Sequence, residues 1–263
     1  IGWAGPLASW SPQSLSQVYW QDPVTLHGPG RPMNLAALRS TIASYRGAPP
    51  VTRAFVVARF LVAPVGPLDA ELRGRSGRVL SLGSGLCMLE RYLAETNPNL
   101  EFVGIDLDEA KVELIASTQE RSPRVTLRRG DATAIDEPAV YDTVLICDAL
   151  HHFPAESHAR VAQAVAAALV PDGRVIVKDL DVAPRWKYHW NRVHDRLVAG
   201  PEPIYCRPID EMAEVFESAG LVVEAKRRLD HAAAPYAHYL ITLRRPTDPE
   251  GTDGVAETVD DTA

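Results

Sequence analysis

The sequence predicts an α/β fold with a mostly parallel sheet, and three observations carry that prediction. From residue 76 to residue 245, short apolar runs alternate with helical patterns, as βαβ units do. The first apolar run enters a glycine-spaced turn, Val79-Leu80-Ser81-Leu82-Gly83-Ser84-Gly85, ahead of a helix. After the last helical pattern, two strand-like runs follow with no helix between them, which predicts a closing antiparallel pair.

In order, strands are expected at Arg78–Leu82, Leu100–Asp106, Arg124–Arg129, Asp142–Cys147 and Arg174–Lys178, then at Leu221–Arg228 and Tyr236–Arg244. Val144, Leu145 and Ile146 make the fourth apolar on both faces, as a buried parallel strand requires. Helices are expected at Leu86–Thr96, Glu109–Arg121, Glu156–Leu169 and Asp210–Ala219, and Pro171-Asp172-Gly173 reads as a turn. Residues 1–75 read as an N-terminal helical cap or lid. There Leu35, Leu38, Ile42 and Tyr45 share a helical face, and a second helix spans Thr52–Val62. Residues 76–245 form the main domain, with an insertion at about 179–208, and 246–263 has the composition of a disordered acidic tail.

Bulk properties narrow the function. The formal charge of -7 argues against nucleic-acid binding through phosphate attraction. Six of the acids sit in the tail, so much of that charge is local. The three cysteines, Cys87, Cys147 and Cys206, show no disulfide or metal-knuckle spacing, which points to a reducing, cytoplasmic setting. The apolar run Ala54–Val65 is too short for a membrane span and contains Arg59. The preference for arginine over lysine suggests a GC-rich bacterial genome.

Glycines at 83 and 85 let the backbone turn tightly and approach a ligand, and the next helix offers unpaired N–H groups. Asp106 ends the second strand where an acid can accept both hydroxyls of a ribose, while Asp108 is the better placed cap for the following helix. A dinucleotide and S-adenosylmethionine both suit this arrangement. The dinucleotide fingerprint would need glycine at 88, where the chain has Met88, and Asp131 after the third strand suits an exocyclic adenine amine.

Val79–Cys87, Gly104–Asp106, Gly130-Asp131-Ala132, Tyr141–Phe153 and Leu169–Val177 together resemble the class I S-adenosylmethionine-dependent methyltransferases, over roughly residues 76–245. The resemblance implies a Rossmann-like seven-stranded sheet with its last strand reversed, and S-adenosylmethionine as cofactor with S-adenosylhomocysteine as product. It implies that Gly83 and Gly85 line the methionine part, that Asp106 binds ribose and that Asp131 meets adenine. Ser81, Ser84, Leu107, Ala132 and Asp148 complete the expected cofactor-binding set. The chain departs from the family at Ser81, where an acid is usual, and at Cys87, where a third glycine is common.

His151 and His152 follow the fourth strand and are the candidate bases for deprotonating an acceptor. No metal site is expected, since the only conceivable ligands are these histidines with Asp148. In the insertion, Trp186, Trp190, Val193 and Leu197 fall on one helical face. Trp186, His189, Trp190, Tyr205 and Arg207 are the candidate substrate contacts, and membrane contact is not expected. The reading is methyl transfer to a small molecule, an apolar or aromatic natural-product-like hydroxyl compound. The alternatives are a cofactor-binding relative that catalyses a cyclisation or rearrangement, and a nicotinamide-dependent oxidoreductase.

Overall fold

A computed structural model describes residues 33–118, 122–198, 200, 203–229 and 235–247. The first part of the expected cap and the expected tail beyond residue 247 lie outside the described residues.

Seven strands form one sheet in the order β3-β2-β1-β4-β5-β7-β6. They are β1 (Gly77–Leu82), β2 (Leu100–Asp106), β3 (Val125–Arg129), β4 (Tyr141–Cys147), β5 (Leu169–Leu180), β6 (Val222–Arg228) and β7 (His238–Arg244). Strands β1 to β5 pair in parallel, and β7 lies antiparallel to both β5 and β6. The chain order reverses between β1 and β4, which opens a crevice beyond their carboxyl ends, where open α/β sheets bind ligands.

Alternate side chains of each strand feed two apolar clusters, one on each face of the sheet. Leu80, Leu82, Val144 and Ile146 point into one face, closed by α6 (His158–Ala168) and α8 (Ile209–Glu217). Val79, Leu145 and Ile176 point into the other, against Tyr92 and Leu93 of α4 (Met88–Thr96). The second cluster also takes in α1 (Leu35–Ala43), α2 (Pro50–Val62) and α3 (Gly66–Leu72), through Ala37, Val56, Phe60, Leu68 and Leu72. These helices therefore share the sheet's core. The remaining helices are α5 (Glu109–Thr118) and α7 (Arg185–Val198).

Several elements differ from expectation. Pro171-Asp172-Gly173 does not precede a strand; it is a bulge inside β5, where Asp172 takes a positive φ of 64° and the register with β4 shifts. Helix α3 is not among the expected helices; its proline sits at the start, where it costs no hydrogen bond. On α1, Leu35 is exposed, and the buried residues are Ala37 and Thr41. On α7 the expected faces are inverted. Trp186, Trp190, Val193 and Leu197 are exposed, whereas Lys187 and Asn191 are buried.

Candidate active site

The loop after β1 turns through Gly83 (φ 65°) and Gly85 (φ 53°). A Cβ on Gly83 would stand 2.7 Å from that of Ala149, so the β1 and β4 loops touch there. A Cβ on Gly85 would meet only Asp106 Oδ2, at 4.0 Å, so this part of the backbone faces open space. Asp106 accepts from Gly85 N at 2.7 Å and from Asp108 N at 2.9 Å. One N–H on each oxygen leaves the carboxylate room for ribose hydroxyls. Asp108 caps α5 by accepting from Ala110 N and Lys111 N. Exposed Leu107 lies beside Asp106, and Asp131 is exposed with its Oδ1 bound to Thr133, above buried Ala132. An open glycine backbone, an acid with spare acceptors and a second exposed acid fit an adenosyl cofactor.

The two serines do not face the same way. Ser84 donates to Ile105 O at 3.1 Å and fills the space that a side chain on Gly104 would need. It therefore packs on β2, a correction to its place in the expected cofactor set. Ser81 is buried and donates to Glu90 Oε1 at 2.5 Å. Cys87 takes the left-handed conformation (φ 55°) that a glycine would supply, and packs beneath the loop at the start of α4.

Beyond β4 lies a chain of buried charges. Asp148 (φ 51°) accepts from Lys178 Nζ at 2.6 and 2.8 Å and pairs with Arg59 of α2, and His238 Nε2 lies 3.6 Å away. Burial opposes its charge, but Lys178 and Arg59 hold its carboxyl well below the usual range. Asp148 is thus committed to protein cations, which corrects its expected role in the cofactor site.

His151 is buried, with Nδ1 2.5 Å from Asp179 Oδ1 and Nε2 3.7 Å from Asp195 Oδ1 of α7. Asp179 also accepts from Leu150 N and Leu180 N. Burial works against a charged ring, yet Asp179 outweighs it and raises the imidazole to about 10. His151 is therefore an imidazolium at neutral pH and cannot take up a proton. His152 differs: its side chain is 41% exposed, its Nε2 lies 3.8 Å from Asp195 Oδ1, and the two rings meet at 4.1 Å, tilted by 46°. Burial and the neighbouring His151 charge lower its pKa, so it is neutral at pH 7. The carboxylate that meets both histidines is Asp195, not Asp148. Together these three side chains have the spacing of a possible metal triad, with ligand atoms within 4.8 Å of one another.

The expected substrate contacts disperse. Trp186 and Trp190 are exposed on the outer face of α7, and His189 borders a surface hollow of about 370 Å³ with Val182, Arg185 and Tyr188. Arg207 donates to His158 Nδ1 and Ala155 O, so it anchors the segment before α8 rather than meeting a ligand. Tyr205 N donates to His151 O at 2.7 Å, which holds Tyr205 beside the histidine pair. Reading by residue type missed Glu90, Arg59, Lys178, Asp179, Asp195 and His238. Glu90 had a usable signal: it stands one turn before Leu93 and Ala94 on the buried face of α4, where an unpaired acid is out of place.

Residues 79–173 match a family model described as "Methyltransferase domain". No curated protein sequence matches the chain. Among solved structures, a Methanosarcina mazei S-adenosylmethionine-dependent methyltransferase aligns at TM-score 0.56 and 13% identity, over 69% of this chain and 98% of that one. A Pyrococcus horikoshii protein aligns at TM-score 0.57 and 18% identity, over 80% and 98%. The [4+2]-cyclase SpnF aligns at TM-score 0.54 and 16% identity, over 69% and 80%. These structural likenesses show the fold. With the match over 79–173, that stretch of the chain is a methyltransferase domain on this fold.

Proposed function

We propose that the protein methylates a hydroxyl of an apolar small molecule and that His152 takes the proton. The carrying observation is the pair of unlike histidines after β4. His151 is fixed as a cation between Asp179 and Asp195, while His152 is half-exposed, neutral and within 3.8 Å of Asp195. S-adenosylmethionine, when bound, supplies an electrophilic methyl group on a sulfonium sulfur. Gly85, Asp106 and Asp131 would hold it, which leaves the chain to orient the acceptor and remove its proton. As His152 gains the proton, Asp195 stabilises the new charge. Support for an apolar acceptor comes from the exposed Phe55 on α2, one turn before Arg59. Helices α2 and α7 reach the same crevice, α2 through Arg59 to Asp148 and α7 through Asp195 to His151.

The test follows S-adenosylhomocysteine formation over a panel of aryl and alkyl alcohols. For any acceptor found, His152→Ala is expected to lower kcat by roughly 10²-fold or more and to leave cofactor affinity unchanged. In the wild type, activity should rise with pH along an ionisation below 6.5 and then level off. An unchanged kcat in His152→Ala would overturn the assignment of the base.

A further inference from the structure

Ser81 leaves the end of β1 without the acid usual in this family, and Glu90 brings a carboxylate to the same place from the first turn of α4. Its Oε1 accepts from Ser81 Oγ at 2.5 Å. The residue is 2% exposed, and Oε2 has no hydrogen-bond partner among the described residues. A buried carboxylate oxygen left without a donor costs free energy unless something completes it. The Cys87 thiol at the helix start reaches the carboxylate as a weak donor, Asp106 at the end of β2 adds a like charge, and Cys147 at the end of β4 is a half-buried thiol. The vacant acceptor thus sits among the ends of β1, β2 and β4, where the sheet order reverses.

We propose that Glu90 binds the α-ammonium group of S-adenosylmethionine, supplying from α4 the carboxylate that Ser81 does not supply from β1. The inference rests on S-adenosylmethionine being the cofactor. Ser81 is then a positioning residue that fixes one carboxylate oxygen so that the other is presented to the ligand. Burial raises the Glu90 carboxyl to about 7, so the unliganded site spends much of its time protonated, and an arriving ammonium group favours the ionised form. Below pH 7, affinity for any ligand with that ammonium should fall as the carboxyl holds its proton.

Calorimetric titration of the full chain with S-adenosylhomocysteine and with 5′-methylthioadenosine tests this, because the second ligand keeps the nucleoside and sulfur and lacks the amino acid. Glu90→Gln is expected to weaken S-adenosylhomocysteine by about tenfold or more and to leave methylthioadenosine within twofold. Ser81→Asp combined with Glu90→Gln should restore most of the lost affinity. In the wild type, S-adenosylhomocysteine affinity should rise from pH 6 to pH 8 while that of methylthioadenosine stays flat; this arm needs no variant to fold. Equal weakening of both ligands in Glu90→Gln, or a flat pH response for both in the wild type, would overturn the role of Glu90 and leave the cofactor reading intact. Failure of both ligands to bind the wild type would overturn the cofactor reading and the inference with it.

Discussion

At the scale of single residues, the cofactor loop depends on backbone conformations that few side chains tolerate. Gly83 has φ 65° and its missing Cβ would lie 2.7 Å from Ala149 Cβ. Gly74 has a similar φ of 73° but nothing within 4 Å of its missing Cβ. The two glycines separate conformational strain from steric collision. Gly74→Ala should cost about 1 kcal/mol in urea unfolding. Gly83→Ala should cost roughly 2–4 kcal/mol, because the same strain is joined by overpacking of the β1 and β4 loops. It should also weaken S-adenosylhomocysteine binding, which Gly74→Ala should leave alone. Equal costs for the two would show that the β1 and β4 loops separate freely. Much of the site at this scale was readable from residue type, since Gly83, Gly85, Asp106 and Asp131 stand at strand ends where the sequence places them. Ser84 and Asp148 were not, because hydrogen-bond partners decide where they point, and those partners, Ile105 O and Lys178, come from other strands.

At the scale of elements, apolar period gave the strands and failed where charge selects the buried face. Strand β2 spans Leu100–Asp106 as the sequence predicts, with burial alternating from Leu100 to Gly104. Helix α7 shows the opposite case. Its apolar stripe faces outward because its inner face serves the charged crevice, with Asp195 at His151 and Asn191 donating to Ala237 O. No local pattern encodes that, because the reason lies in β4, β5 and the segment before β7. Helix α2 is likewise held at the crevice by Arg59 on Asp148, in addition to Val56 and Phe60 in the core. Arg59→Met keeps the aliphatic stem and leaves Asp148 paired with Lys178, so the fold should survive. Amides of α2 should then exchange with solvent about tenfold faster, the effect of losing one hydrogen bond to a charged group, while β4 amides keep their protection. Unchanged exchange in α2 would mean that apolar packing alone positions the helix.

At the scale of the whole molecule, the carboxyl edge of the sheet is a store of charge that ties stability to pH from both sides. His151 has its pKa raised to about 10 in the fold, against an ordinary 6.5. Its stabilisation is complete below 6.5 and is lost as pH climbs toward 10. His238 has the reverse behaviour. Burial, and then Lys178, lower it to about 3, so the fold holds it neutral. The unfolded chain protonates it below 6.5, and stability is lost as pH falls from there. Asp148 and Asp179, both depressed, add a further loss only in more acid solution. These opposing limbs predict a thermal midpoint that peaks near pH 6 to 7 and declines on either side. His238→Gln removes a group responsible for the first part of the acid limb without touching the cofactor loop or the histidine pair. Its midpoint should fall less steeply than the wild type's from pH 6.5 down to about 4.5, where the other depressed histidines still take up protons on unfolding, and should follow the wild type's decline above pH 7. Parallel acid limbs in the two proteins would place the proton uptake elsewhere, and a variant that flattened the alkaline limb instead would contradict the assignment of that limb to His151.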